Sequence, residues 1–311
     1  MIQFRDGTEQ PRREALDHPG PRAADRLTSV SAHTFARRVR LPAGKRLLDA
    51  LAEVVDAVGC TSAQAEIMGG TLDRVSYSTP DAAASSSSAV GFSPVKEAVA
   101  PAQLVTASAT LGHREGRRFM HCHAAWLDSE GELHAGHLWP ETTVGAVPVH
   151  AVVHLLPGVD LVSEEDPETG MPVFTPRTGT HHSVVGSADP TARAVLSRVR
   201  PGEEITGAVE EVCRRHGFDL AVVHASLGSL IGADLHRRDG LVYVDGPATE
   251  VVNATGTLRA TDCGGFDGEL STVLVDRHGA VHAGRLARGR NLVAVTFELL
   301  VTEETPGGEH G

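Results

Sequence analysis

Two stretches of this 311-residue chain repeat each other in order, and that constrains its architecture more than any other feature. Gly44, Gly59 and the corner Gly70-Thr71-Leu72 recur 158 positions later as Gly202, Gly217 and Gly228-Ser229-Leu230. The offset then falls to 147, matching Thr110-Leu111 to Thr257-Leu258. It settles at 148, where Leu133-His134-Ala135-Gly136-His137-Leu138 meets Val281-His282-Ala283-Gly284-Arg285-Leu286. The missing length corresponds to a serine- and alanine-rich insertion at 81–91 of the first repeat, which reads as a flexible loop. The chain is therefore a tandem duplication.

Both copies give the same local pattern. Leu47, Leu48, Leu51, Val54, Val55 and Val58 recur at helical spacing and stop at Gly59, a residue suited to a helix C-terminus. Ile205, Val209, Val212 and Cys213 repeat this before Gly217. Short apolar or alternating runs bounded by Gly, Pro or Asp follow each helix and predict strands. One main helix against a mainly antiparallel sheet, twice, is an α+β architecture. The expected organisation is an N-terminal arm over 1–33, repeat one over 34–159 with the metal site, an acidic connector over 160–194, repeat two over 195–303 with a degenerate site, and a tail over 304–311.

Lys and Arg number 28 against 40 Asp and Glu, a formal charge of −12, which opposes long-range attraction to phosphate backbones or anionic lipid. No segment approaches the apolar length of a membrane span, and the N-terminus has no apolar signal core. The four cysteines show no Cys-x-x-Cys spacing, so a disulfide framework is not expected and a cytoplasmic location is.

Histidine is the unusual residue. Seven of the 17 lie between His113 and His154. Asp128-Ser129-Glu130-Gly131 has the composition of a turn, so the flanking segments pair as a hairpin. Strand alternation puts His121 and His123 on one face, and pairing Leu127 with Leu133 sets His123 opposite His137. Three convergent imidazoles with an open fourth position is a catalytic zinc arrangement, which lowers the pKa of bound water and polarises a carbonyl. His134 has the wrong strand parity to join them.

The same segment, Glu132-Leu133-His134-Ala135-Gly136-His137-Leu138 after a His-x-His strand, together with the two glycine corners, resembles the plant and prokaryote conserved (PPC) domain. The resemblance covers both repeats, with Ala135 standing where the family motif has its first glycine. It implies an α+β fold that trimerises, hence a homotrimer of six domains, and a metal site at His121, His123 and His137. The domain also occurs beside AT-hooks in nuclear proteins. In repeat two the corresponding positions are Glu269, Ser271 and Arg285, which cannot form that site; Glu269 and Arg285 are expected to pair instead.

The function expected from these residues is a zinc-dependent hydrolase of a small ester or lactone. Glu66, Glu97 and His150 are its candidate proton-transfer residues, and Arg285 and His224 its candidate substrate contacts. The alternatives are a DNA-associated protein and a noncatalytic metal-binding sensor or scaffold. Nucleic acid is not expected as a partner: Arg288-Gly289-Arg290 lacks flanking prolines and falls at a turn tip.

Overall fold

The computed structural model describes residues 15–83, 85–179 and 192–304. Residues 1–14 of the expected arm, 180–191 of the connector and 305–311 of the tail lie outside the described residues. Repeat one begins with β1 (Leu27–Leu41), α1 (Leu47–Asp56) and β2 (Ala63–Met68). Five short strands follow: β3 (Thr71–Arg74), β4 (Ser76–Ser78), β5 (Pro80–Ala82), β6 (Val90–Phe92) and β7 (Lys96–Glu97). Then come β8 (Ala102–Arg114), β9 (Arg117–Leu127), β10 (Leu133–Leu138), β11 (Thr143–Val144) and β12 (Val149–Leu155).

A hairpin of β13 (Val159–Glu165) and β14 (Pro172–Thr178) precedes repeat two. That repeat starts with β15 (Ala192–Val199), α2 (Ile205–His216) and β16 (Leu220–Leu230). It continues through β17 (Ala233–Arg237), β18 (Gly240–Val244), β19 (Thr249–Ala260), β20 (Phe266–Val275), β21 (Val281–Leu286) and β22 (Val293–Glu303).

The α+β class is as the sequence implies. In repeat one, antiparallel pairing runs β1, β12, β2, β8, β9, β10 and β4. Repeat two reproduces the order as β15, β22, β16, β19, β20 and β21. Each helix buries its apolar stripe on one face of its own sheet: Leu47, Leu51 and Val55 in repeat one, Ile205, Val209 and Val212 in repeat two. The opposite sheet faces meet each other. Alternation along β9 makes the division plain: Met120, Cys122, Ala124 and Trp126 enter the helix-side core, leaving His121, His123 and Ala125 for the seam between the repeats.

Two sequence expectations need correction. The polar arm is strand from Leu27 onward: Leu27–Thr34 pair with β15 and Phe35–Leu41 with β12, so β1 belongs to both sheets. The acidic connector also holds ordered structure. Val159, Leu161 and Ser163 are buried at alternate positions of β13 while Glu164 and Glu165 stay exposed, so the charge run masks a strand.

That hairpin is fastened by buried charge. Arg198 on β15, 2% exposed, donates to Asp166 at 2.8 Å, and Arg200 reaches the same carboxylate oxygen at 2.9 Å. Burial alone would raise the Asp166 carboxyl, but the two guanidinium groups hold it well below the usual carboxylate range. Removing one partner of such a pair strands the other. Asp166→Ala is expected to cost about 3–5 kcal/mol in urea unfolding, whereas Glu164→Ala, an exposed neighbour, should change stability by less than about 1 kcal/mol.

Candidate metal centre

The hairpin register is the one the sequence dictates: Leu127 faces Leu133 and His123 faces His137. Asp128 closes the turn by accepting from the backbone amides of Glu130 and Glu132, while Gly131 takes φ +85°. Gly136 is needed for a different reason. A Cβ there would come within 2.5 Å of the Ser78 carbonyl oxygen, so only glycine lets β4 pair beside His137.

His121, His123 and His137 converge, with one nitrogen of each within 4.8 Å of the others. The Nε2 atoms of His121 and His123 are 3.1 Å apart. Repeat two supplies the surroundings. His123 Nδ1 is 2.8 Å from the Val251 carbonyl oxygen, which can only accept, so the ring donates there and turns the Nε2 lone pair inward. His121 Nδ1 contacts Glu298 Oε1 at 2.9 Å, and Glu250 Oε1 lies 3.6 Å from His123 Nε2. The second oxygens of both Glu250 and Glu298 are buried without a hydrogen-bond partner.

Burial sets the protonation of this cluster. It pushes His123 well below its ordinary pKa, aided by its two histidine neighbours, and takes His137 down to about 3, aided by His121. Glu250 is raised well above the usual carboxylate range by the same burial. The donor set fits a divalent transition metal: three converging imidazoles and two carboxyls with orphaned oxygens. A cavity of about 270 Å³ opens beside the cluster, walled by Phe92, Trp139, Val173 and Phe174.

The other candidate residues are elsewhere, and none lines that cavity. Glu97 pairs with Arg74 at 3.0 Å on the surface. His150 is exposed opposite Arg40. Arg285 pairs with Glu269, the bridge expected for the degenerate copy, and both are exposed. Glu66 and His224 lie at another point on the seam, 3.7 Å apart. His134 bonds Asp128 at 2.8 Å rather than joining the cluster. The sequence reading missed Glu250 and Glu298. Their signal was an acidic residue inside an otherwise apolar strand, as in Phe297-Glu298-Leu299-Leu300.

In metal-free protein the histidine shifts carry a definite pH dependence. Unfolded histidine protonates below about pH 6.5, while folded His137 and His154 stay neutral down to about 3 and about 4. The unfolded state then binds more protons, so stability falls as pH drops through that interval. Denaturation midpoints measured in chelator are expected to decline from pH 7 to pH 4, and His154→Gln should flatten the slope.

The chain matches the Plants and Prokaryotes Conserved (PCC) domain twice, over residues 34–156 and 186–305. No curated protein matches it. Among solved structures, a "putative DNA-binding protein" from Ralstonia eutropha is similar at 20% identity and TM-score 0.37, over 44% of this chain and 88% of that one. A metal-containing protein from Archaeoglobus fulgidus is similar at 20% identity and TM-score 0.38, over 45% and 92%. One from Bacteroides thetaiotaomicron, described in the same DNA-binding terms, is similar at 12% identity and TM-score 0.35, over 47% and 96%. The family match gives the zinc-hydrolase expectation no support, and that expectation is corrected here together with the one that nucleic acid is not a partner. The physical counterpart is that Glu66, Glu97 and His150 stand away from the histidine cluster they would have served. This chain belongs to the Plants and Prokaryotes Conserved domain family and carries the domain in two copies.

Proposed function

We propose that this chain is a DNA-associated protein without catalytic turnover, in which the three-histidine cluster is a metal centre that locks the repeats together. Glu250 carries the reading. It is a buried carboxyl from repeat two, 3.6 Å from His123 Nε2, and would join the three converging imidazoles of repeat one as a fourth protein donor once an ion draws it in. Four protein donors make the closed shell of a structural site, whereas a catalytic centre keeps a position for water. Nitrogen-rich donors favour zinc among the available divalent ions. Such an ion would be held by His121, His123, His137 and Glu250, with Glu298 orienting His121.

For DNA, the supporting feature is a local exception to the acidic balance. Arg38 and Arg40 project from the same face of β1, exposed, with His150 opposite Arg40, and neither forms an ion pair among the described residues. Arg288 and Arg290 are occupied, paired with Glu210 and Asp234, so the Arg-Gly-Arg turn is not the contact. The homotrimer implied by the resemblance belongs to the same reading. The contact between repeats is heterologous, with β9 and β10 on β19 and β10 also touching β20 and β21, and leaves the ends of β20 and β21 that carry Glu269, Ser271 and Arg285 exposed.

Zinc is expected to raise the thermal unfolding midpoint, and Glu250→Gln to weaken its uptake at the histidine cluster by about tenfold or more. A Glu250→Gln protein that binds zinc as tightly as the parent sinks the locking role. Duplex DNA should be retarded at about 50 mM salt, and replacing both Arg38 and Arg40 with Ala should lower the log–log salt slope by about 2. An unretarded duplex at that salt overturns the DNA assignment.

A further inference from the structure

A second set of ligating side chains lies on the same seam. Glu66 on β2 and His154 on β12 occupy neighbouring strands, in register through Val152↔Glu66 and His154↔Gln64. Repeat two brings His224, which stands at the 158-residue offset from Glu66, so equivalent strands of the two copies meet here. The strand β16 is deformed at this point. Its register with β19 shifts between Val223 and Ser226, and Ala225 sits at φ +43°, a left-handed conformation that an alanine rarely adopts. The deformation lets the Ala225 amide donate to Glu66 Oε1 at 3.1 Å and sets His224 Nδ1 3.7 Å from the same oxygen.

That separation is too long for a hydrogen bond. His224 Nε2 lies 2.9 Å from the Thr302 hydroxyl, which orients the ring with Nδ1 toward Glu66. The His154 ring lies 4.5 Å from the His224 ring, centroid to centroid. His154 is 5% exposed, and its Nε2 is buried with no hydrogen-bond partner. Burial, then His224, pushes the His154 pKa down to about 4, so the imidazole is neutral and one ring nitrogen keeps a free lone pair. A simple His224–Glu66 ion pair leaves the orphaned His154 nitrogen unexplained.

We infer that Glu66, His154 and His224 form a second divalent-metal site, in which one donor atom of each residue, all within 4.8 Å of one another, grips an ion across the seam. Two imidazoles and a carboxylate suit zinc-class ions, with remaining positions open to water. This inference rests on its own residues and not on the first cluster.

The test uses Zn²⁺ and Co²⁺ as probes on the full chain. In His123→Ala, which breaks the first cluster, one equivalent of Co²⁺ should still bind with visible ligand-field absorption. Adding His154→Ala should remove it. In the otherwise unaltered chain, Glu66→Gln, which keeps the side-chain shape, should weaken one class of sites by about tenfold or more, and it carries the test if His154→Ala fails to fold. A His123→Ala protein that binds no Co²⁺ overturns the site, as does unchanged affinity in Glu66→Gln. If His123→Ala leaves metal uptake intact and Glu66→Gln abolishes it, this site stands and the first centre falls.

Discussion

Two polar sheet faces pressed together are the constraint from which the rest of this structure follows. Each repeat uses one sheet face to bury its helix and must find a cover for the other. The cover is its sister. A seam rich in His, Glu, Gln and Thr is costly unless its polar groups are paired, at about 1–3 kcal/mol for each one left unsatisfied. Gln64 donates to the Glu298 carbonyl oxygen, Asn253 to the Thr106 hydroxyl, and His123 to the Val251 carbonyl oxygen. These bonds cross from one copy to the other and fix their relative placement more narrowly than apolar contact would. A small apolar cluster of Ala125, Ala135, Val252 and Val275 fills the space between them.

The contact is asymmetric, and the asymmetry accounts for the fate of the two copies. Strands β9 and β10 of repeat one lie against repeat two, so His121, His123 and His137 receive Glu250 and Glu298 as neighbours. The corresponding strands β20 and β21 leave Glu269, Ser271 and Arg285 exposed. A ligand cluster there would have no second wall, and an exposed Glu–Arg pair stands in its place. Duplication thus produced one sheltered site and one surface patch from the same strand geometry. The strand β1 reinforces the arrangement by running through both sheets, so neither copy can separate without breaking its backbone ladder.

Burial has opposite consequences at the two ends of the charge scale. At Asp166, two guanidinium groups outweigh desolvation and the carboxylate stays ionised. At Glu250 no Lys or Arg forms an ion pair among the described residues, and desolvation favours the neutral acid. The first arrangement is complete as it stands. The second, beside three imidazoles, is a set of donors assembled without the positive charge that would balance them.

Periodicity alone determined a good deal. The offset glycines gave the duplication, the leucine and valine spacing gave α1 and α2, and the Asp128–Gly131 turn gave the hairpin register down to His123 opposite His137. These are local consequences of backbone geometry, in which a side chain's direction follows from counting along a strand or helix. The strand within the acidic connector was hidden because its charges sit on the exposed positions. The partners of the histidines were decided only by tertiary structure. Glu250 and Glu298 lie more than a hundred residues from His123, and the rigid-body placement of one sheet on another leaves no period in the sequence. For the same reason Glu66 and His224, each unremarkable in its own strand, become a pair only when the copies are folded face to face.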